Sequence, residues 1–148
     1  MKRIEINVYT DGSCLMHSEK RPGGWGAVIC KKTEITETII DEIFGSDTKT
    51  TNNQMELVAI LGALIYVRRM IMKKEVVKEV IVNVYTDSSW SYNCLTNAAW
   101  NCTRNRILLD TIQNIMKKIV VNINWIKEHT NAYQDRAHNL AKREMMNR

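Results

Sequence analysis

The pentapeptide Asn-Val-Tyr-Thr-Asp occurs twice, at residues 7–11 and 83–87, and each copy closes a strand-like apolar run. A serine follows two residues after each aspartate, Ser13 and Ser89. A strand ending in an exposed carboxylate is a place to hold a metal ion. Two such ends, side by side in one sheet, could hold two. Taken singly, Asp11 before Gly12 reads as a turn aspartate and Asp87 as a helix N-cap; the repetition weakens both readings. Glu56 is the third acid. It shares a helical face with Ile60, Ala63, Leu64 and Val67, and a carboxylate on an apolar stripe is costly to bury unless paired or metal-bound. By itself it reads equally as a first-turn glutamate favoured by the helix dipole. Met55, Val58 and Gly62 offer a second apolar face, so periodicity leaves the core side open. Three oxygen-rich acids from separate elements suit a hard cation such as Mg²⁺. Two cations about 4 Å apart activate water and stabilise the leaving oxygen in phosphodiester cleavage.

The elements that must position these acids follow from periodicity. Ile4, Ile6 and Val8 alternate with Glu5, Asn7 and Tyr9, so residues 3–10 read as a strand. A polar loop is expected up to Pro22-Gly23-Gly24. Residues 24–32 and 34–43 read as two further strands joined by a hairpin around 32–33. Gly24 and Gly26 suggest the close approach of a ligand or another backbone. Capping residues at 50–53 open a helix over 54–70. A fourth strand (79–86), a short helix (88–96), an amphipathic helix (103–117), a fifth strand (119–127) and a terminal helix (133–146) complete the reading. A hairpin meander followed by β-α-β alternation implies an α/β fold with a mixed sheet, antiparallel at first and parallel afterwards. If the two repeated strands are parallel neighbours, both aspartates lie at the carboxyl edge, where open α/β sheets bind ligands.

The 148 residues suit one domain, 1–148, with no Pro-, Gly- or Ser-rich linker. No apolar run approaches the roughly 20 residues of a membrane-spanning helix. The charge-broken start, Met1-Lys2-Arg3-Ile4-Glu5, gives no sign of a signal peptide. Cys14, Cys30, Cys94 and Cys102 show no Cys-x-x-Cys spacing, so no zinc site is supported and four reduced thiols in a cytoplasmic protein are expected. The formal charge of +5 is compatible with a polyanionic partner.

Five motifs in order then resemble type 1 ribonuclease H: Thr10-Asp11-Gly12-Ser13, Gly23-Gly24-Trp25-Gly26-Ala27, Thr50-Thr51-Asn52-Asn53-Gln54-Met55-Glu56-Leu57, Thr86-Asp87-Ser88 and Trp125-x-Lys127-x-His129. They cover nearly the whole chain, and together they are highly specific. The resemblance implies the ribonuclease H-like fold, a five-stranded mixed sheet flanked by helices. It implies endonucleolytic cleavage of the RNA strand of an RNA–DNA hybrid with two ions, Mg²⁺ or Mn²⁺. Asp11, Glu56 and Asp87 resemble three of the family's four metal-binding acids. His129 resembles the loop histidine thought to assist proton transfer or product release. Asn52 and Asn53 resemble minor-groove contacts to the hybrid, and Thr51 a phosphate contact on the DNA strand. Gly12, Ser13, Cys14 and Ser89 join the expected substrate contacts. The 2′-hydroxyl is the feature by which such a site tells RNA from DNA.

Two departures from the family pattern stand out. Anchoring the last helix on Ala137 and Leu140-Ala141 puts His138 where the fourth aspartate is expected. Anchoring on Asn131 puts Asp135 there instead. The first register matches more residues and needs a smaller deletion, so His138 is preferred as a catalytic and metal-site residue. A neutral imidazole there removes one negative charge and, as a softer ligand, tilts the site towards Mn²⁺. Second, the lysine-rich handle of many bacterial members is replaced by a short segment, 96–106, with only Arg104 and Arg106. Fewer phosphate contacts mean a shallower salt dependence. Trp90 and Trp100 could pack near the DNA strand or in the core. Alternatives to the nuclease are a hybrid-binding module with a weak or dead site, and a DNA-acting recombinase-type nuclease on the same fold. A monomer with no membrane contact is expected.

Overall fold

The computed structural model describes residues 3–15, 21–73 and 79–147. Five strands, β1 (Arg3–Cys14), β2 (Gly23–Lys32), β3 (Glu37–Asp47), β4 (Glu79–Thr86) and β5 (Val120–Trp125), form one sheet in the order β3-β2-β1-β4-β5. The β1–β2 and β2–β3 pairs are antiparallel, and β1–β4 and β4–β5 are parallel. Four helices join them: α1 (Asn52–Lys73), α2 (Ser89–Thr96), α3 (Arg106–Met116) and α4 (Ala132–Met146). The mixed sheet and its element order are as the sequence implies. Part of the polar loop expected before Pro22, and the first two residues of the start, lie outside the described residues.

The repeated pentapeptide has a structural cause. Asn7 pairs with Asn83, Val8 with Val84, Tyr9 with Tyr85 and Thr10 with Thr86. The two copies therefore lie in register as adjacent parallel strands, and like residues face the same way. Val8 and Val84 enter a core with Leu57, Ile60, Leu64 and Val67 of α1, and with Leu109 and Ile112 of α3. On the opposite face Tyr9 and Tyr85 stack with centroids 4.9 Å apart, and Tyr133 of α4 lies against Tyr9 at 5.2 Å. Asn83 donates to Asn7 Oδ1 (3.0 Å), and the exposed Asn122 donates to Asn83 Oδ1 (3.2 Å), so the buried amides of Asn7 and Asn83 find partners across the strands.

Several boundaries differ from expectation. β1 does not end before Asp11: it continues to Cys14, because β2 keeps pairing with it through Asp11↔Gly26 and Cys14↔Gly23 after β4 has left. The hairpin turn is 33–36, closed by Thr33 N–H on Thr36 O, which moves β3 later. α3 begins only after Asn105, whose left-handed φ of 60° breaks the helix there. The expectation of four reduced thiols is corrected. Cys94 and Cys102 form a disulfide across Cα atoms 5.8 Å apart, leaving Cys14 and Cys30 free. No motif marks the pair; the turn of residues 97–101 brings Cys102 back against α2.

Gly24 and Gly26 act by close approach. A Cβ on Gly24 would collide with Ala141 O and Met145 N, and one on Gly26 with Leu140 Cβ and Ala137 O. α4 therefore lies almost directly on β2. Among the described residues no helix is long and apolar enough to cross a membrane.

Candidate active site

Asp11 lies where β1 loses its β4 neighbour, and Asp87 follows the last residue of β4. Glu56 stands in the first turns of α1, on its buried face with Met55, Leu57 and Ile60, which decides the face left open by periodicity. Gly12 permits the approach of that helix: a Cβ there would overlap Glu56 N and the Met55 backbone. One carboxylate oxygen from each of Asp11, Glu56 and Asp87 lies within 4.8 Å of the others. Asp11 and Glu56 are buried, at 2% and 4% exposure. Among the described residues, Glu56 Oε2 has no hydrogen-bond partner.

This arrangement is electrostatically costly. Burial pushes the Glu56 carboxyl well above its usual range, and Asp11 and Asp87 add to the effect. Asp87 is pushed up to about 7, by burial first and then by Asp11 and Glu128. A buried oxygen without a partner and three mutually repelling carboxylates make an arrangement that a divalent cation satisfies. The residues present fit such an ion.

α4 brings His138 to this cluster, with Nδ1 2.7 Å from Asp11 Oδ2. Asp135, one turn earlier, instead meets His129 Nδ1 at 3.1 Å. Gln134, buried on the same helix, donates to Thr10 O (2.7 Å) and ties α4 to the end of β1. The helix is capped by Asn131, which accepts from Tyr133 and Gln134 N–H. His129 takes a left-handed φ of 60°, and its ring lies edge-on to His138 with centroids 5.8 Å apart. Trp125 donates to Asp87 O (3.0 Å) and holds the third acid from the side of β5.

A cleft of about 410 Å³ gathers Asp11, Glu56, Asp87 and His138 with Gly12, Ser13, Asn52, Asn53 and Ser89. Thr51 and Cys14 lie elsewhere. Thr51 Oγ1 accepts from Gln54 N–H at the start of α1 and faces a neighbouring cleft with Asn53, Trp90, Arg104 and Asn105. Cys14 Sγ donates to Thr50 O and braces the strand end. Trp90 borders both clefts while packing on the core, and Trp100 is 45% exposed. Three residues passed over in the sequence also come forward. Glu128 lines the acidic cleft. Arg21 and Lys49 flank a third cleft with Thr50, Thr51 and Gln54. No motif marks them; their place depends on how the loops close over α1.

The family model for RNase H matches residues 3–146. The chain belongs to the RNase H family. Among curated relatives, Ribonuclease H of Brucella anthropi is 33% identical, covering 98% of this chain and 91% of its own length. Ribonuclease H of Chlorobium chlorochromatii is 30% identical, with 93% of each chain covered. The RNase H fold is equally clear in solved structures. LC9-RNase H1, a type 1 RNase H with the type 2 active-site motif, superposes with a TM-score of 0.79 at 22% identity, covering 99% of this chain and 74% of that one. LC11-RNase H1 in complex with RNA/DNA hybrid gives 0.74 at 23% identity, covering 96% and 97%. As a ribonuclease H, the chain is a hydrolase of a generally divalent-metal-dependent family, and it carries an acidic cluster that could hold a metal ion.

Proposed function

We propose that this ribonuclease H, a single domain over residues 1–148, cleaves the RNA strand of RNA–DNA hybrids endonucleolytically with two divalent ions, Mg²⁺ or Mn²⁺. The observation that carries the reading is the convergence of the Asp11, Glu56 and Asp87 oxygens within 4.8 Å, with Glu56 Oε2 buried and unpartnered. Asp11, Glu56, Asp87 and His138 would hold the ions. When bound, the ions supply an activated water and charge stabilisation at the leaving oxygen. The chain's own residues do the rest. Asn52 and Asn53, at the mouth of the cleft, offer amides to the minor groove, where the 2′-hydroxyl distinguishes RNA from DNA. Gly12, Ser13 and Ser89 border the scissile position. Thr51, with Arg104 beside it, suits a phosphate of the DNA strand. Asp135 fixes the His129 imidazole by its Nδ1, leaving that ring to carry a proton at the edge of the site.

The enzyme acts in this reading as a monomer. A cytoplasmic site of action belongs to the reading too, and there Cys94–Cys102 would meet a reducing thiol pool.

The test is cleavage of an end-labelled hybrid, duplex DNA and duplex RNA in Mg²⁺, Mn²⁺ and EDTA. Wild type is expected to cut only the RNA of the hybrid, and only with an ion. Asp11→Asn is expected to cut nothing while still binding. A wild type that binds the hybrid without cutting it overturns the reading, as does cleavage of duplex DNA.

A further inference from the structure

The acidic cleft contains a carboxylate that the family resemblance leaves unassigned. Glu128 lies between β5 and α4 and lines the cleft with Asp11, Glu56, Asp87 and His138. It is near enough that its charge acts on Asp87, ranking after Asp11 among the charged neighbours that raise it. The chain bends sharply directly after it, at the left-handed His129. Its Oε1 stands 3.6 Å from His129 Nε2, and its side chain is 61% exposed. It can therefore reach over the cleft without being buried there.

The charge balance gives Glu128 something to do. Two divalent cations carry four positive charges. Asp11, Glu56 and Asp87 supply three negative ones, and His138, an imidazole, supplies no negative charge. Glu128 brings the lining to four. The orphaned Glu56 Oε2, on a nearly fully buried side chain, independently marks the same cleft as a place where a ligand is needed.

We propose that Glu128 is a cation-holding carboxylate of this site, making up the charge missing where His138 stands. This rests on the two-ion reading above. Because Glu128 is exposed and carried by a loop, it holds the more weakly bound ion, whereas Asp11, Glu56 and Asp87 hold the tighter one. The competing role for Glu128 is to orient His129 through Nε2. The two roles differ in what they move. A cation-holding residue changes ion affinity; a residue acting through His129 changes the pH profile of cleavage and leaves ion affinity alone.

The experiment titrates the full chain with Mn²⁺, reading free Mn²⁺ by electron paramagnetic resonance, for wild type, Glu128→Gln, Glu128→Asp and Asp11→Asn. In parallel, the Mg²⁺ concentration for half-maximal hybrid cleavage is measured for wild type and the two Glu128 variants. Glu128→Gln is expected to weaken the looser class of Mn²⁺ sites about tenfold, the scale of one unit charge near a dication in a wet cleft. The tighter class should keep its affinity, and the half-maximal Mg²⁺ should rise in step. Glu128→Asp should recover part of the loss. An unchanged Mn²⁺ isotherm in Glu128→Gln, with or without a shifted pH profile, overturns the proposal, as does a wild type with a single class of site. A wild type that fails to cut the hybrid removes the proposed function instead, and the Mn²⁺ isotherm still decides Glu128.

Discussion

Glu56, Asp11 and Asp87 are held together against their own repulsion, and that has a measurable consequence. The folded-state Asp87 carboxyl titrates at about 7, against an ordinary value of 3.8. Between those values the folded chain binds more protons than the unfolded one, so stability falls as pH rises across that window. Thermal melts in EDTA are expected to show Tm decreasing from pH 5 to pH 8, with Mg²⁺ restoring Tm at pH 8. Asp87→Asn should flatten that slope and raise the metal-free Tm at pH 8 while abolishing cleavage. A metal-free Tm that climbs with pH would contradict the account. His138 carries a second prediction. Its imidazole lies 2.7 Å from Asp11 Oδ2, and on the proposed reading it stands in place of an anionic oxygen, so His138→Asp is expected to raise activity in Mg²⁺ relative to Mn²⁺. Activity titrations giving the same Mn²⁺/Mg²⁺ ratio in both proteins would count against it.

The placement of α4 and of the 97–105 segment fixes what these side chains can reach. β2 has glycines where α4 crosses it, and α4 carries His138. Gly24→Ala would drive a methyl into Ala141 O and the Met145 backbone. Overpacking of this kind costs about 1–3 kcal/mol, and here the relief is to push α4 outward. Denaturation should show that loss, and cleavage should fall with it because His138 moves away from Asp11. The Cys94–Cys102 disulfide does for α2 and its following segment what the glycines do for α4. That segment supplies Arg104 and Asn105 to the cleft beside Thr51, and Cys102 is tied to α2 only eight residues back. Closing so short a loop is worth about 2.5 kcal/mol in the chain-entropy account. The double variant Cys94→Ser, Cys102→Ser is expected to lose roughly that much stability. It should also raise KM for the hybrid with kcat little changed. An unaltered KM would mean that the segment keeps its place without the bond.

Across the molecule, a chain of net charge +5 gathers four acids, Asp11, Glu56, Asp87 and Glu128, in one cleft whose own lining, among the described residues, holds no Lys or Arg. Arg106 is already paired with Asp110, and Arg136 with Glu42. Arg104, Arg21 and Lys49 line the clefts around the start of α1. Each phosphate contact contributes a slope of about 0.9 to log K against log salt. Hybrid binding measured over a salt series is expected to be shallow, with Arg104→Ala and Lys49→Ala each lowering the slope by roughly 1. A slope as steep as that of relatives with the full basic handle would show that other cations carry the binding.

Patterning along the chain was enough to read the order of elements, the mixed sheet and the three core acids. Period-two and period-3.6 patterning is local, and the repeated pentapeptide reports an in-register parallel pair that places Asp11 beside Asp87. The family motifs named Glu56, and the register of the last helix favoured His138 over Asp135. Tertiary structure alone decided that Glu56 faces the core, that His138 meets Asp11 while Asp135 holds His129, that Cys94 bonds Cys102, and that Glu128 joins the cleft. The disulfide follows from the local turn of residues 97–101; the other three share one physical reason. Each depends on where a helix or loop settles against the sheet, and that placement is set by packing between residues far apart in the chain, as when Gly24 admits Ala141 and Met145. Local periodicity carries no record of such contacts. It fixes which way a residue points along its own element, and the sheet and its glycines then choose what it meets.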